Sequence, residues 1–186
     1  MPTRAELEQY VDAEVPDLLG PGLKLLFVGI NPGLWTAAVQ AHFARPGNRF
    51  YPALEKAGII THPIRPSEGM SDKDRQHLVD RGIGITNLVR RATAGASDLS
   101  AEELREGGAA LRRLVAATRP RVVAVAGIAS YRTAFGRPRA KAGRQPDTLK
   151  GAELWVVPNP SGLNAHHTVD TLAEAYADAA RAAGVL

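Results

Sequence analysis

At 186 residues, with 45% apolar and 23% charged residues, the chain suits one soluble folded domain around a single hydrophobic core. The absence of cysteine excludes disulfides, thiolate nucleophiles, cysteine-based zinc sites and iron–sulfur clusters. A formal charge of +4 is compatible with a polyanionic partner without demanding one. No window approaches the roughly 18 unbroken apolar residues of a membrane span, and the polar, acidic start of the chain does not read as a signal peptide, so a cytoplasmic location is expected. Only His166 and His167 are close in sequence, and adjacent side chains diverge on a helix or strand, so no metal site is expected.

The first apolar, β-branched run, residues 23–30, reads as a strand. It leads into Gly29-Ile30-Asn31-Pro32-Gly33, where glycines on both sides permit unusual backbone angles and proline stiffens the turn. Asn31 has the hydrogen-bonding reach of a functional side chain, yet Asn-Pro-Gly is also ordinary turn chemistry, and the loop alone leaves both open. A phosphate cradle is disfavoured, because the spacing matches neither glycine-rich phosphate motif and Pro32 removes an N–H. Downstream, Asn48 can cap a helix that turns Phe50 and Leu54 inward and stops at Gly58.

A second strand, with polar interruptions, is expected over 83–89. Ser100 and Glu103 form a capping box for a helix carrying Leu104, Leu111, Leu114 and Val115. The third and fourth strands fall at 121–127 and 153–157. Between them, Arg132, Arg137, Arg139, Lys141, Arg144 and Lys150 face a single acid, Asp147; the segment reads either as a solvated loop or as a surface for a polyanion. After the fourth strand comes Asn159-Pro160-Ser161-Gly162-Leu163-Asn164, in which Leu163 either folds back on the core or stands exposed as a wedge of the kind that enters a base stack. Alanine-rich residues 170–183, with Leu172, Tyr176 and Ala179 at helical spacing, close the chain. Short apolar strands alternating with helices predict one three-layer α/β domain with a mainly parallel sheet, residues 1–15 peripheral, and its ligand beyond the carboxyl ends of the strands.

The two strand-end motifs carry a resemblance. Gly29-Ile30-Asn31-Pro32-Gly33 and Asn159-Pro160-Ser161-Gly162-Leu163 are similar to those of the mismatch-specific uracil-DNA glycosylases, bacterial relatives of thymine-DNA glycosylase. The likeness runs through residues 16–22, Phe43-Ala44-Arg45-Pro46-Gly47-Asn48-Arg49-Phe50 and Gly84-Ile85-Thr86-Asn87-Leu88-Val89, covering about 16–180 in the family's order. It implies that Asn31 holds the attacking water, a modest catalyst because an amide orients water without taking its proton. It places Phe43 under the flipped base, Ile30, Gly33, Thr36 and Asn48 around it, and Asn159 beside the leaving base. Leu163 resembles the wedge, Gly162 and Asn164 would read the widowed guanine, and Ser161 would contact a phosphate. Thr36 aligns near where a thymine methyl would sit, which would disfavour thymine.

Two departures stand out. Ala165, followed by His166 and His167, occupies a place where close relatives carry arginine, and Asn87 stands where some members have lysine. The implied activity is hydrolysis of uracil from double-stranded DNA by base flipping, preferentially in G·U mismatches and extending to G·T and to bulky cytosine adducts such as ethenocytosine, by a monomer needing no cofactor. The alternatives are a DNA damage-sensing module with little activity and a small-molecule nucleotide N-glycoside hydrolase of the same fold; a wedge would be superfluous for the latter.

Overall fold

The four apolar runs form strands because each buries side chains on both faces. In the computed structural model, which describes residues 1–186, these are β1 (Leu25–Gly29), β2 (Ile83–Asn87), β3 (Val122–Ala126) and β5 (Ala152–Val157). Leu25 and Phe27 face one side with Ile83, Ile85, Val122 and Ala124, while Leu26 and Val28 face the other with Val123, Val125, Leu154 and Val156. Strands β2, β1, β3 and β5 are parallel neighbours in that order.

Helices cover both faces, giving the three layers expected. On the first side lie α3 (Phe50–Lys56), whose Phe50, Tyr51 and Leu54 are buried, and α7 (Val169–Ala183), which buries Leu172, Tyr176 and a row of alanines. On the second lie α5 (Ala101–Thr118), capped by the Ser100–Glu103 box, and α6 (Ile128–Phe135). Neither α4 (Asp72–Asp80), which buries only Leu78, nor α2 (Leu34–Val39) shows a clear apolar stripe. No helix is long and apolar enough to cross a membrane.

Three expectations need correction. The basic stretch is not simply a loop: α6 occupies its start, and Gly143–Leu149 forms β4, an antiparallel edge strand on β5. Of β4, only Gln145 and Leu149 are buried, so the strand offered no apolar run to read. Second, the strands are one or two residues shorter than the runs at most ends, because the flanking residues enter loops. Third, Asn48 is not the N-cap of α3. Arg49 holds that place, and Asn48 Oδ1 instead accepts from the Phe50 N–H at 2.9 Å, closing a turn one residue earlier.

The N-terminal segment begins with α1 (Arg4–Glu8), which buries no residue. Beyond it the chain is built in: the Asp12 N–H donates to the Ala92 carbonyl at 2.9 Å, the Ala92 N–H to the Ala13 carbonyl at 2.8 Å, and Val15 packs with Ala37 and Ala92.

Candidate active site

Two loops leave the carboxyl ends of β1 and β5 side by side, and a strap after β2 (residues 88–95) runs along the first of them. The Leu88 and Val89 N–H groups donate to the Gly29 and Ile30 carbonyls, each at 2.9 Å, and the Thr93 N–H donates to the Pro32 carbonyl at 3.1 Å. These bonds close a cavity of about 200 Å³ whose walls include Gly29 to Gly33, Thr36, Phe43, Asn48, Thr93, Asn159, Ser161 and Leu163. That volume is below the usual range for drug-sized ligands and suits a single small ring.

Inside it, the Asn31 amide has a defined orientation. Its Nδ2 donates to the Arg91 carbonyl at 3.0 Å and to Thr93 Oγ1 at 2.8 Å. A carbonyl can only accept, so nitrogen must face Arg91 and Oδ1 must point away. Thr93 Oγ1 accepts there because its own hydrogen goes to the Gly95 carbonyl, 2.8 Å away. Nothing in the protein donates to Asn31 Oδ1, and no buried side-chain polar atom lacks a partner, so Oδ1 opens to the cavity.

Asn159 lines the same cavity. Its Oδ1 accepts from the Ser161 N–H at 2.9 Å, and its Nδ2 donates to no group in the protein. Behind it the buried Tyr176 hydroxyl donates to the Pro158 carbonyl at 3.0 Å, anchoring the start of the loop on α7. A residue with a free acceptor, Asn31, and one with a free donor, Asn159, thus line one cavity.

Phe43 forms a third wall. It has φ of 55°, a conformation disfavoured for a bulky side chain, and its ring stacks on Phe50 with centroids 4.1 Å apart. Gly29 permits this closeness: a Cβ there would lie 2.5 Å from Asn87 Oδ1 and 3.3 Å from the Phe43 ring. Asn87 itself lines the cavity, its Nδ2 3.3 Å from His42 Nδ1. His42 Nε2 lies 2.8 Å from the Pro16 carbonyl and must donate to it, so Nδ1 is left to accept from Asn87. Burial holds the His42 pKa below its ordinary value, which keeps the ring neutral in that arrangement.

The second loop stands at the mouth. Leu163 is 80% exposed, against the expectation for an apolar side chain folded onto a core. Arg49 grips the loop from α3: Nη1 donates to the Asn164 carbonyl at 3.0 Å and to the His167 carbonyl, Nη2 reaches the Gly162 carbonyl at 3.4 Å, and the Arg49 N–H donates to the Pro160 carbonyl at 2.9 Å. Gly162 is required by packing, since a Cβ there would lie 2.7 Å from the Gly47 carbonyl oxygen. Asn164 is turned inward, donating from Nδ2 to the Asn159 carbonyl at 3.1 Å and accepting the His166 N–H at 3.2 Å. Its side chain therefore holds the loop together, and Gly162 and Asn164 lie outside the cavity that Ser161 and Leu163 help to line. His166 is exposed, while the His167 ring lies 3.2 Å from Thr171.

The structure thus gathers Asn31, Ile30, Gly33, Thr36, Phe43, Asn48 and Asn159 in one cavity, with Leu163 at its rim. Sequence reasoning missed Thr93, Arg91, Arg49 and the His42–Asn87 pair. Arg49 and Asn87 stand in motifs the sequence shows, but their partners, like those of Thr93 and Arg91, come from distant parts of the chain, so only the fold gives these residues their roles. A larger depression of about 500 Å³ lies between α6 and β4, but it is away from the strand-end loops, and Arg137 and Arg144 on its wall are paired with Asp147 and Glu153. No group of three or more His, Asp or Glu side chains is placed to hold a metal ion.

These features define a three-layer α/β domain whose cavity lies at the carboxyl ends of its parallel strands. The chain belongs to the Uracil DNA glycosylase superfamily, which it matches over residues 16–180. Its fold is also similar to a solution NMR structure from Methanosarcina acetivorans described as a candidate uracil DNA glycosylase, with TM-score 0.64 and 18% identity over 92% of this chain and 98% of that chain. At that identity the likeness establishes the fold.

Proposed function

We propose that the protein hydrolyses the N-glycosidic bond of uracil flipped out of double-stranded DNA, with uracil opposite guanine as the preferred target. The observation that carries this reading is the Asn31 amide, fixed by two acceptors behind it with Oδ1 open to a cavity the size of one base.

In this scheme a water donates one hydrogen bond to Asn31 Oδ1 and presents its lone pair to C1′ of the sugar. The C1′–N1 bond breaks, its electron pair leaves with the base as a uracil anion, and the water oxygen bonds to C1′ while its proton passes to solvent. Asn31 cannot take that proton, so the rate must come from positioning and from stabilising the separated charges. Asn159 Nδ2 is the free donor for the base oxygen on which negative charge grows, and Phe43 supplies a stacking face. The chemistry needs water alone, with no cofactor.

Leu163 supports a duplex substrate. An apolar side chain at the mouth fills the space that a departing base leaves in a stack, whereas a free nucleotide leaves no such space. Ser161 and the exposed Arg45 beside it fit contacts to phosphates, and the Gly162 backbone fits the edge of the widowed guanine. A G·U pair is weaker than its Watson–Crick counterpart, so extruding its uracil costs less and a modest catalyst gains most there. Thr36, buried in the wall on α2, is the residue expected to crowd a 5-methyl group, so thymine should be excised more slowly.

Single-turnover excision from duplexes containing G·U, A·U and G·T, and from single-stranded uracil DNA, tests the proposal. G·U should be fastest and G·T slowest. Cleavage of free deoxyuridine without cleavage of any DNA would transfer the protein to nucleotide hydrolysis. Intact DNA binding without excision would make it a damage sensor.

A further inference from the structure

We propose that Arg91 is a positioning residue for the hydrolytic step, and that it fixes the Asn31 amide by pinning the backbone strap behind it to α5 and to the N-terminal segment. The inference rests on the role given to Asn31 above.

Arg91 faces two ways. Its carbonyl turns toward the cavity and accepts from Asn31 Nδ2, while its guanidinium points outward. Nε and Nη2 donate to the two carboxylate oxygens of Glu103 at 2.5 and 3.2 Å, a bidentate pair. Nη1 donates to Asp12 Oδ1 at 3.1 Å, and Nη2 also reaches the Asp98 carbonyl at 3.2 Å. One side chain thus ties the strap to α5, to the turn before α5 and to the N-terminal segment.

Each anchor is itself held. Glu103 belongs to the capping box of α5, accepting from the Ser100 N–H at 2.8 Å. The paired guanidinium draws the Glu103 pKa down to about 2, so the pair stays charged through the range in which the protein would work. Asp12 and Ala13 are paired with Ala92 through two backbone hydrogen bonds. Lower on the same helix, Gly107 abuts the start of the strap so closely that a Cβ would meet the Leu88 carbonyl oxygen at 2.2 Å.

The chemical consequence follows from the asymmetry of an amide. If the Arg91 carbonyl and Thr93 hydroxyl move away, little distinguishes the two orientations of Asn31. In the flipped one an NH2 group, which only donates, faces the water and cannot accept its hydrogen. The pinned strap therefore selects the orientation that directs the water's lone pair at the sugar. Residues 12, 91 and 103 act on the reaction without touching the substrate.

A double-variant cycle separates this from simple support of the fold. Single-turnover excision of 5-fluorouracil opposite guanine keeps slow variants measurable, because the fluorinated base leaves more readily. Arg91→Met should slow excision by about 10- to 100-fold, the scale of a misplaced catalytic group, with Arg91→Lys falling between. In an Asn31→Ala background the same Arg91→Met change should alter the rate by no more than about twofold, since no amide remains to be positioned. Glu103→Gln, which retains an acceptor for Ser100, should give a smaller loss that also vanishes in that background. It serves as the test if Arg91→Met does not fold. Equal fractional losses with and without Asn31, or an unchanged rate in a folded Arg91→Met protein, would overturn the proposal. If Asn31→Ala alone has no effect, the role given to Asn31 fails while hydrolysis stands, which is a different result.

Discussion

Truncating Leu163 to alanine isolates what the exposed side chain does, because almost none of it is engaged in the free protein. It is 80% exposed, so its removal should leave thermal stability within about 0.5 kcal/mol of wild type. On a duplex, that same surface becomes available for burial in the stack. The substitution deletes three carbon groups at about 0.8 kcal/mol each, or about 2.4 kcal/mol on full burial. Scaled by the fraction still exposed, the loss is about 2 kcal/mol, or about 30-fold in the fraction of enzyme holding a flipped base. Stopped-flow fluorescence of 2-aminopurine next to the uracil would follow flipping, and single-turnover excision would follow chemistry. Both should fall about 10- to 30-fold on a G·U duplex and stay near wild type on single-stranded DNA, where no hole needs filling. Equal losses on the two substrates would show that Leu163 shapes the pocket and would refute the wedge.

Other outcomes follow from the cavity and its supports. Thr93→Val removes one of the two acceptors that orient Asn31, and a hydrogen bond worth about 1 kcal/mol should slow excision about fivefold to tenfold while base affinity is retained; an unchanged rate would show that the Arg91 carbonyl suffices. His42 binds its proton less readily folded than unfolded, so the unfolded state gains protons first as pH falls through 6.5. Its contribution to stability is therefore complete above that pH and is lost below it. The urea midpoint should fall between about pH 7.5 and about pH 5.5, and His42→Asn should flatten the change; an identical slope in the variant would assign the dependence to other groups.

How far the structure was legible in the sequence depended on which physical signal each part leaves. Strands β1 and β3 are covered on both faces and so appear as continuous apolar runs, and β5 reads almost as clearly, broken only by Glu153. β2 was readable despite Thr86 and Asn87 because Ile83 and Ile85 share one face. β4 left no such trace: it is an edge strand studded with charges and carries a proline. Helices α2 and α6 begin at Gly33 and Gly127, which provide no capping side chain, so neither announces its start. Helix α4 did carry a usable signal, Ser71 accepting from the Asp74 N–H, but its single buried residue made no stripe.

The site divides similarly. Asn31, Asn159 and Leu163 lie in loops at strand ends, where a general rule for α/β folds directs attention, and they do converge. Thr93 acts as an acceptor 62 residues from Asn31, and Arg91 acts through its carbonyl, a group every residue possesses. Only the folded strap reveals either. Asn48 shows the opposite case: its helix-capping chemistry was legible, and the fold applies it one residue before the cap, within the cavity wall.

Single-turnover excision of uracil from a G·U duplex by wild type and Asn31→Ala, with binding of both proteins to an abasic duplex measured alongside, tests the central claim most directly. A loss of about 100-fold or more in the excision rate is expected, with abasic-duplex affinity within about threefold, because only the positioned water is removed. Excision by Asn31→Ala at the wild-type rate would contradict it and require another group in the cavity to hold the water.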